Sequence, residues 1–273
     1  MWIEVNRILK RSLPGLHSVL RASTQTWRAT AFPTIPVPMR IAGRFTWVHP
    51  RVATSIATIT QANIIRWIDE HLQPGDSFLD VGAHCGWLSI RAARRVGRTG
   101  RVLAFEPSPI LVDFLRYHVT VNRLPQIIIV PKAVSDSDSE APFFLLNGGF
   151  SFRNSLTIER DDLPFVRPEE KVRITVPTVT LDGYCAQHDL RPGLVKIDVE
   201  GAELDVLKGC REVLRQARPV VIVGIHPYWL PTGQNADQIL ALLSDCGYAV
   251  KASVMFPTHG YEVGDYLYAP RTA

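Results

Sequence analysis

The chain predicts an α/β fold built on a mostly parallel sheet, and three observations carry that prediction. Between residues 78 and 247, short apolar runs alternate with segments whose apolar residues recur at helical spacing. The runs Ile127-Ile128-Ile129-Val130 and Pro219-Val220-Val221-Ile222-Val223 are apolar throughout, as strands covered on both faces must be. The stretch Phe78-Leu79-Asp80-Val81-Gly82-Ala83-His84-Cys85-Gly86-Trp87-Leu88-Ser89 reads as a strand, a Gly-rich turn and a helix start. That unit opens a nucleoside-binding crevice at the mouth of a parallel sheet.

Taken in order, residues 1–51 hold eight Lys or Arg against one acid, Glu4. Trp2, Ile3, Val5, Ile8, Leu9, Leu13 and Leu16 interleave with Arg7, Lys10 and Arg11, and Pro14 interrupts the pattern early. Such a segment suits a helix on a membrane surface, a targeting segment, or a helix packed on the domain or a second subunit. Residues 30–50, with Pro33, Pro36, Pro38 and Pro50, read as an extended connector. Residues 56–72 have helical periodicity and stop before Pro74-Gly75. Strands are expected near 77–82, 101–106, 127–134, 194–199 and 219–225, and helices near 86–96, 108–122, 201–216 and 235–246. Strand signals near 249–255 and 265–269 follow the last helix. The stretch 135–193 interrupts the alternation and reads as a β-rich insertion beside the crevice, because Val172-Arg173-Ile174-Thr175-Val176 alternates with period two. This gives a basic N-terminal extension, connector and helix over 1–73 and one α/β domain over 74–273.

Composition narrows the class. A chain of 273 residues with 46% hydrophobic and 21% charged residues is ordinary for a globular protein and long enough for a large core. No apolar run reaches the length of a membrane-spanning helix. Cys85, Cys185, Cys210 and Cys246 are scattered, without a C-x-x-C pair. That pattern fits reduced core residues of a cytoplasmic protein rather than a disulfide frame or a zinc site. A net charge of +4 does not point to nucleic acid.

The turn itself selects the ligand. Gly82-Ala83-His84-Cys85-Gly86 has the spacing G-x-x-x-G, without the third glycine of a dinucleotide fingerprint. Asp80 at the strand end would sit poorly beside a pyrophosphate but suits the sulfonium and ammonium groups of S-adenosylmethionine. About 20 residues on, Arg101-Val102-Leu103-Ala104-Phe105-Glu106-Pro107 is a second strand ending in an acid, where a partner for ribose hydroxyls is expected. The cofactor-binding candidates are therefore Asp80, Gly82, Ala83, His84, Gly86, Glu106, Pro107, Ala133, Val134 and Asp198.

Asp80-Val81-Gly82-Ala83 with Gly86, Phe105-Glu106-Pro107, and Leu194-Val195-Lys196-Ile197-Asp198-Val199-Glu200-Gly201-Ala202-Glu203 together resemble the FkbM-type S-adenosylmethionine-dependent methyltransferases. The resemblance runs from about residue 74 to 247 and is most specific in the Lys-Ile-Asp-Val-Glu-Gly-Ala-Glu block. It implies a Rossmann-like class I methyltransferase fold with a seven-stranded, mostly parallel sheet and a terminal antiparallel pair. It also implies O-methylation of a sugar, glycolipid or secondary metabolite. The chain departs from the family at His84, where Asn is usual, and at Gly224, where Glu is usual.

Methyl transfer to oxygen needs a held near-attack geometry and a base for the hydroxyl proton. Lys196, Asp198 and Glu200 occupy alternate positions of one expected strand and so share a face near its C-terminal end. His226 ends the next strand, and an imidazole is suited to act as the base. These four are the catalytic candidates, and Asp198, Glu200 and His226 could also hold Mg²⁺. Asn154 and Ser155 in the insertion match a family Asn-Ser-Leu pattern and are the substrate-contact candidates. Methylation of an RNA ribose, and a non-catalytic nucleoside-binding protein, stand as the alternatives. The expected partner is a small-molecule or glycan acceptor, with membrane or homo-oligomer contact through the N-terminal segment.

Overall fold

The computed structural model describes residues 35–41, 44–53, 61–146, 151, 154–157, 171–258 and 261–271. The basic helix expected near the N-terminus lies outside the described residues. The chain divides into two compact units, Met1–Thr60 and Gln61–Ala273. In the smaller unit, β1 (Val37–Ile41) and β2 (Arg44–Val48) pair antiparallel, with Pro38 opposite Trp47. The Pro-rich stretch is thus a strand pair here rather than a bare connector.

The larger unit holds the main sheet and its helices. It opens with α1 (Ala62–His71), β3 (Ser77–Val81), α2 (Trp87–Val96), β4 (Arg101–Phe105), α3 (Pro109–Val121) and β5 (Ile127–Val130). Two short strands, β6 (Ala133–Val134) and β7 (Glu140–Leu146), lead to the long β8 (Lys171–Val179) and the short α4 (Leu181–Gln187). Then come β9 (Leu194–Ile197), α5 (Glu203–Lys208), α6 (Arg211–Gln216), β10 (Val220–Ile225), α7 (Ala236–Asp245), β11 (Tyr248–Thr258) and β12 (Tyr261–Pro270). The main sheet has the order β11-β12-β10-β9-β3-β4-β5. Its five strands β10, β9, β3, β4 and β5 run parallel, while β12 and β11 are antiparallel. This is the seven-stranded arrangement expected from the sequence. Strand order reverses between β3 and β9, and ligands of open α/β sheets bind outside the carboxyl ends of strands at such a point.

Burial follows the pattern that predicted the strands. Leu79, Val81, Leu103, Phe105, Val195, Ile197, Val221 and Val223 all lie in one continuous core. Helix α2 turns Leu88, Ile90, Ala92, Ala93 and Val96 inward. No helix among the described residues is long and apolar enough to cross a membrane.

Three expected elements differ, each for a local reason. The strand expected over 127–134 divides at Pro131, which has no N–H to give the ladder; β5 stays in the main sheet and β6 pairs with β8 in a separate sheet of order β6-β8-β7. The helix expected over 201–216 divides at Gly209-Cys210, where a side chain on Gly209 would stand 2.2 Å from the Ser135 carbonyl oxygen. Helix α4 falls inside the stretch read as β-rich; Thr180 caps it by accepting from the Gly183 N–H at 3.1 Å.

Candidate active site

The Gly-rich turn is built by close backbone approach. Gly82 has φ +75, and a Cβ there would lie 2.0 Å from the Asp198 carbonyl oxygen. The N–H groups of Gly82 and Ala83 donate to the Phe105 carbonyl at 3.1 and 3.0 Å, tying β3 to β4 at the mouth of the sheet. Gly86, at φ +83, is the N-cap of α2 and lets Leu115 approach. His84 also takes a positive φ, 53°, and its N–H donates to Glu106 Oε2 at 2.8 Å.

Glu106 stands just past β4 and also accepts from the Ser108 N–H at 2.9 Å. Burial pushes its carboxyl up to about 7, although both N–H bonds favour the charged form. With Gly82, His84, Pro107, Ala133, Val134 and Asp198 it lines a cleft at the sheet's carboxyl edge. Asp80, Ala83 and Gly86 do not line it. Asp80 is fully buried beneath the turn, where it accepts from Ser89 Oγ at 2.5 Å and pairs with Lys196 Nζ at 3.3 Å.

Lys196 is equally committed to the turn. Its Nζ donates to the carbonyls of Val81 and Gly82 at 3.2 and 2.8 Å. Burial opposes its charge, but Asp80 and Asp198 outweigh burial and raise its pKa above the ordinary value. Its ammonium is a clamp on β3 rather than a group presented to the cleft.

Strand β9 ends at Ile197, so Asp198 and Glu200 do not extend a strand face as expected. Glu200 has φ 54 and Gly201 φ 106, and this turn brings Glu200 back to the cleft wall beside Asp198. The turn is pinned from the insertion: Ser155 Oγ donates to the Glu200 carbonyl at 2.6 Å, and Thr157 Oγ1 donates to the same oxygen at 3.2 Å. Ser155 is therefore a buried brace and not part of the cleft lining, whereas Asn154 does line the cleft. The Asn154 side-chain oxygen accepts from the Leu146 N–H at 2.9 Å.

His226, just past β10, meets three carboxylates. Its Nδ1 lies 2.9 Å from Glu203 Oε1, and its Nε2 lies 3.7 Å from Asp198 Oδ1 and 3.8 Å from Glu200 Oε1. Glu203 is fixed in turn by the Gly201 N–H, which reaches both its oxygens. Burial works against a charged imidazole, yet Glu200, Glu203 and Asp198 prevail and push its pKa up to about 10. A ring that holds its proton so firmly is not the free base the sequence suggested. Asp198 is held below the ordinary carboxylate value: burial works against ionisation, but Lys196, His226 and a hydrogen bond from Gln61 Nε2 at 3.3 Å outweigh it.

Two contributors escaped sequence reasoning. Gln61 reaches Asp198 from the start of α1. Asp265 on β12 stands directly opposite Gly224 in the antiparallel register, and opposed residues share a face. It is buried, accepts from Asn63 Nδ2 at 2.8 Å, and burial pushes its carboxyl up to about 6. Gly224 brings no acid to this face, but Asp265 opposite it does, and only the register shows the pairing.

The model of the methyltransferase FkbM domain matches residues 80–250, more than half of the chain. The chain belongs to the FkbM methyltransferase family. A model of protein-L-isoaspartate(D-aspartate) O-methyltransferase also matches residues 16–141. Among curated relatives, the hexuronic acid methyltransferase AglP of Haloferax volcanii is 27% identical over 205 residues, covering 75% of this chain and 76% of that protein. The methyltransferase sdnD of Sordaria araneosa is 30% identical over 204 residues, covering 65% of this chain and 75% of that protein. Among solved structures, an FkbM methyltransferase from Methylobacillus flagellatus KT aligns at TM-score 0.48 and 16% identity, over 75% of this chain and 50% of that one. As an FkbM-family member the chain is an S-adenosylmethionine-dependent methyltransferase, and its cleft is lined by the Glu106 carboxylate, by Gly82 of the glycine turn and by the acids Asp198 and Glu200.

Proposed function

We propose that the chain methylates a hydroxyl of a sugar or a related small metabolite. The observation that carries this reading is one cleft lined by Glu106 on one side and by Asp198 and Glu200 on the other, at the β3/β9 reversal. The name of one relative, a hexuronic acid methyltransferase, supports the acceptor class. S-adenosylmethionine supplies a methyl carbon on a positive sulfur; the acceptor oxygen bonds to that carbon, the C–S bond breaks with its electrons to sulfur, and S-adenosylhomocysteine leaves.

The residues divide the work around that step. Glu106 receives ribose hydroxyls, while Pro107, Ala133 and Val134 give an apolar wall for the base. Asp80 and Lys196 fix the turn, and Gly82, Ala83 and Gly86 shape it. Asp198 and Glu200 face the acceptor, and Asp198 takes the hydroxyl proton as the new bond forms. His226 positions both carboxylates. Asn154 limits the acceptor side of the cleft, with Ser155 bracing the turn behind it.

The test is incubation with methyl-labelled donor and a panel of free hexuronic acids, neutral sugars, glycolipids and RNA, with mass analysis of the products. An O-methylated sugar or metabolite is expected, and Asp198→Asn should lower turnover by about 10²–10⁴-fold, the usual contribution of a positioned base. Label found only in RNA or protein would overturn the acceptor class.

A further inference from the structure

The transfer reaction leaves one arrangement unexplained. His226 gives its Nδ1 side to Glu203, so its Nε2 points at Asp198 Oδ1 and Glu200 Oε1, 3.7 and 3.8 Å away. Those separations are beyond hydrogen-bond reach. They suit donors that share an ion. Ligands held at about 2.0–2.4 Å from one cation stand roughly 3–4 Å from each other, depending on coordination geometry. The three donor atoms lie within 4.8 Å of one another.

The surroundings point the same way. Asp198 and Glu200 are both on the cleft wall, so an ion here would be reachable from the acceptor side. Asp265 shares the face of Gly224 and adds negative charge that extends to Asp198 and His226. Lys196 stands 3.9 Å from Asp198 and gives its donors to Asp80 and to the carbonyls of Val81 and Gly82. Gly224 leaves the space open: a Cβ there would stand 3.2 Å from His226 Cε1 and 3.3 Å from Asp198 Oδ1.

We infer that Asp198, Glu200 and His226 bind a divalent cation of the first transition row, of the Mn²⁺ class, which displaces the Nε2 proton of His226 to solvent while Glu203 orients the imidazole from behind. A carboxylate on the distal ring nitrogen is the usual support for a metal-bound histidine, fixing its tautomer and direction. The imidazole ligand is the reason to favour Mn²⁺ over the Mg²⁺ that the carboxylates alone suggest, since Mg²⁺ prefers an all-oxygen shell. This inference rests on the same cleft as the proposed transferase reaction and deepens it by naming the ion beside the acceptor.

The experiment uses the full chain, stripped with chelator and titrated with Mn²⁺ alone, following free Mn²⁺ by electron paramagnetic resonance. About one ion per chain is expected, with a pulsed-resonance nitrogen coupling from an imidazole and a rise in melting temperature. His226→Gln should abolish the nitrogen coupling, and Glu200→Gln should weaken uptake tenfold or more while circular dichroism shows both variants folded. Glu203→Gln should weaken uptake by about 10–100-fold, the usual cost of losing such a support, with the nitrogen coupling retained. No uptake by the folded wild type, or uptake without nitrogen coupling that Glu200→Gln leaves unchanged, would overturn the inference. Calorimetry with S-adenosylmethionine on the stripped protein separates the two readings. Donor binding without Mn²⁺ uptake sinks the metal site alone, and Mn²⁺ uptake without donor binding sinks the transferase reading alone.

Discussion

Glu106 and Asp80 show how far single residues can be read. Both are acids near the end of a parallel strand, and the sequence assigns both to the donor. Only Glu106 lines the cleft. Asp80 is paired across the β3/β9 register with Lys196, and that neighbour comes from a strand far along the chain. Glu106 also carries a pH dependence. Burial raises its carboxyl from 4.5 to about 7, so the folded protein holds this proton more tightly than the unfolded chain. The stability this contributes is complete below pH 4.5 and is lost as pH rises through about 7. Hydroxyl donors require the ionised form, so donor affinity has the opposite sign. Affinity for S-adenosylhomocysteine measured by calorimetry should rise about tenfold between pH 6 and pH 8, as the ionised fraction of a group titrating near 7 does. In Glu106→Gln the slope should vanish. A flat wild-type profile would remove Glu106 from the ribose role.

At the scale of elements, the strand–turn–helix unit was the most legible part of the chain, because glycine spacing reports backbone geometry directly. The turn after β9 was less so. Alternation in Lys196, Asp198 and Glu200 suggested a continuing strand, but β9 ends at Ile197 and a left-handed Glu200 does the aiming. A non-glycine residue at positive φ leaves no mark in a sequence; the braces from Ser155 and Thr157 that hold it there come from a separate sheet region. The boundary between α5 and α6 was equally hidden, since it depends on contact between Gly209 and Ser135. The legible unit gives a direct test. Gly82→Ala puts a Cβ 2.0 Å from the Asp198 carbonyl oxygen at φ +75. It should cost about 2 kcal/mol or more, from the left-handed backbone and the displaced strand end together, and weaken donor binding at least tenfold. Gly97→Ala is the control: its φ is +72, with nothing within 4 Å of the new Cβ. It should show the backbone cost in thermal melting and leave donor affinity unchanged. Equal effects on affinity from both variants would count against the turn as the cradle.

For the whole molecule, the order of the main sheet explains why residues so distant in sequence converge. The chain winds from β3 to β5 in one direction, then crosses back to β9 and β10 in the other. The reversal leaves the carboxyl ends of β3 and β9 side by side, and Gly82 and Asp198 meet there. Periodicity foretold the parallel sheet, and the family resemblance implied its terminal antiparallel pair. Periodicity could not tell which side chains face each other across strands, so Asp265 and the clamp role of Lys196 emerged only from the register, and Gln61 only from the packing of its helix start against Asp198. All the residues of the cleft fall within Gln61–Ala273. The claim that most depends on this architecture is that the cleft at the reversal holds the methyl donor. Calorimetric titration of the full chain with S-adenosylmethionine, repeated with Glu106→Ala and with NAD, tests it. One donor site per chain is expected, with a loss of about 1–3 kcal/mol in Glu106→Ala and no heat with NAD. Absence of donor binding, or an affinity that Glu106→Ala leaves unchanged, would contradict it.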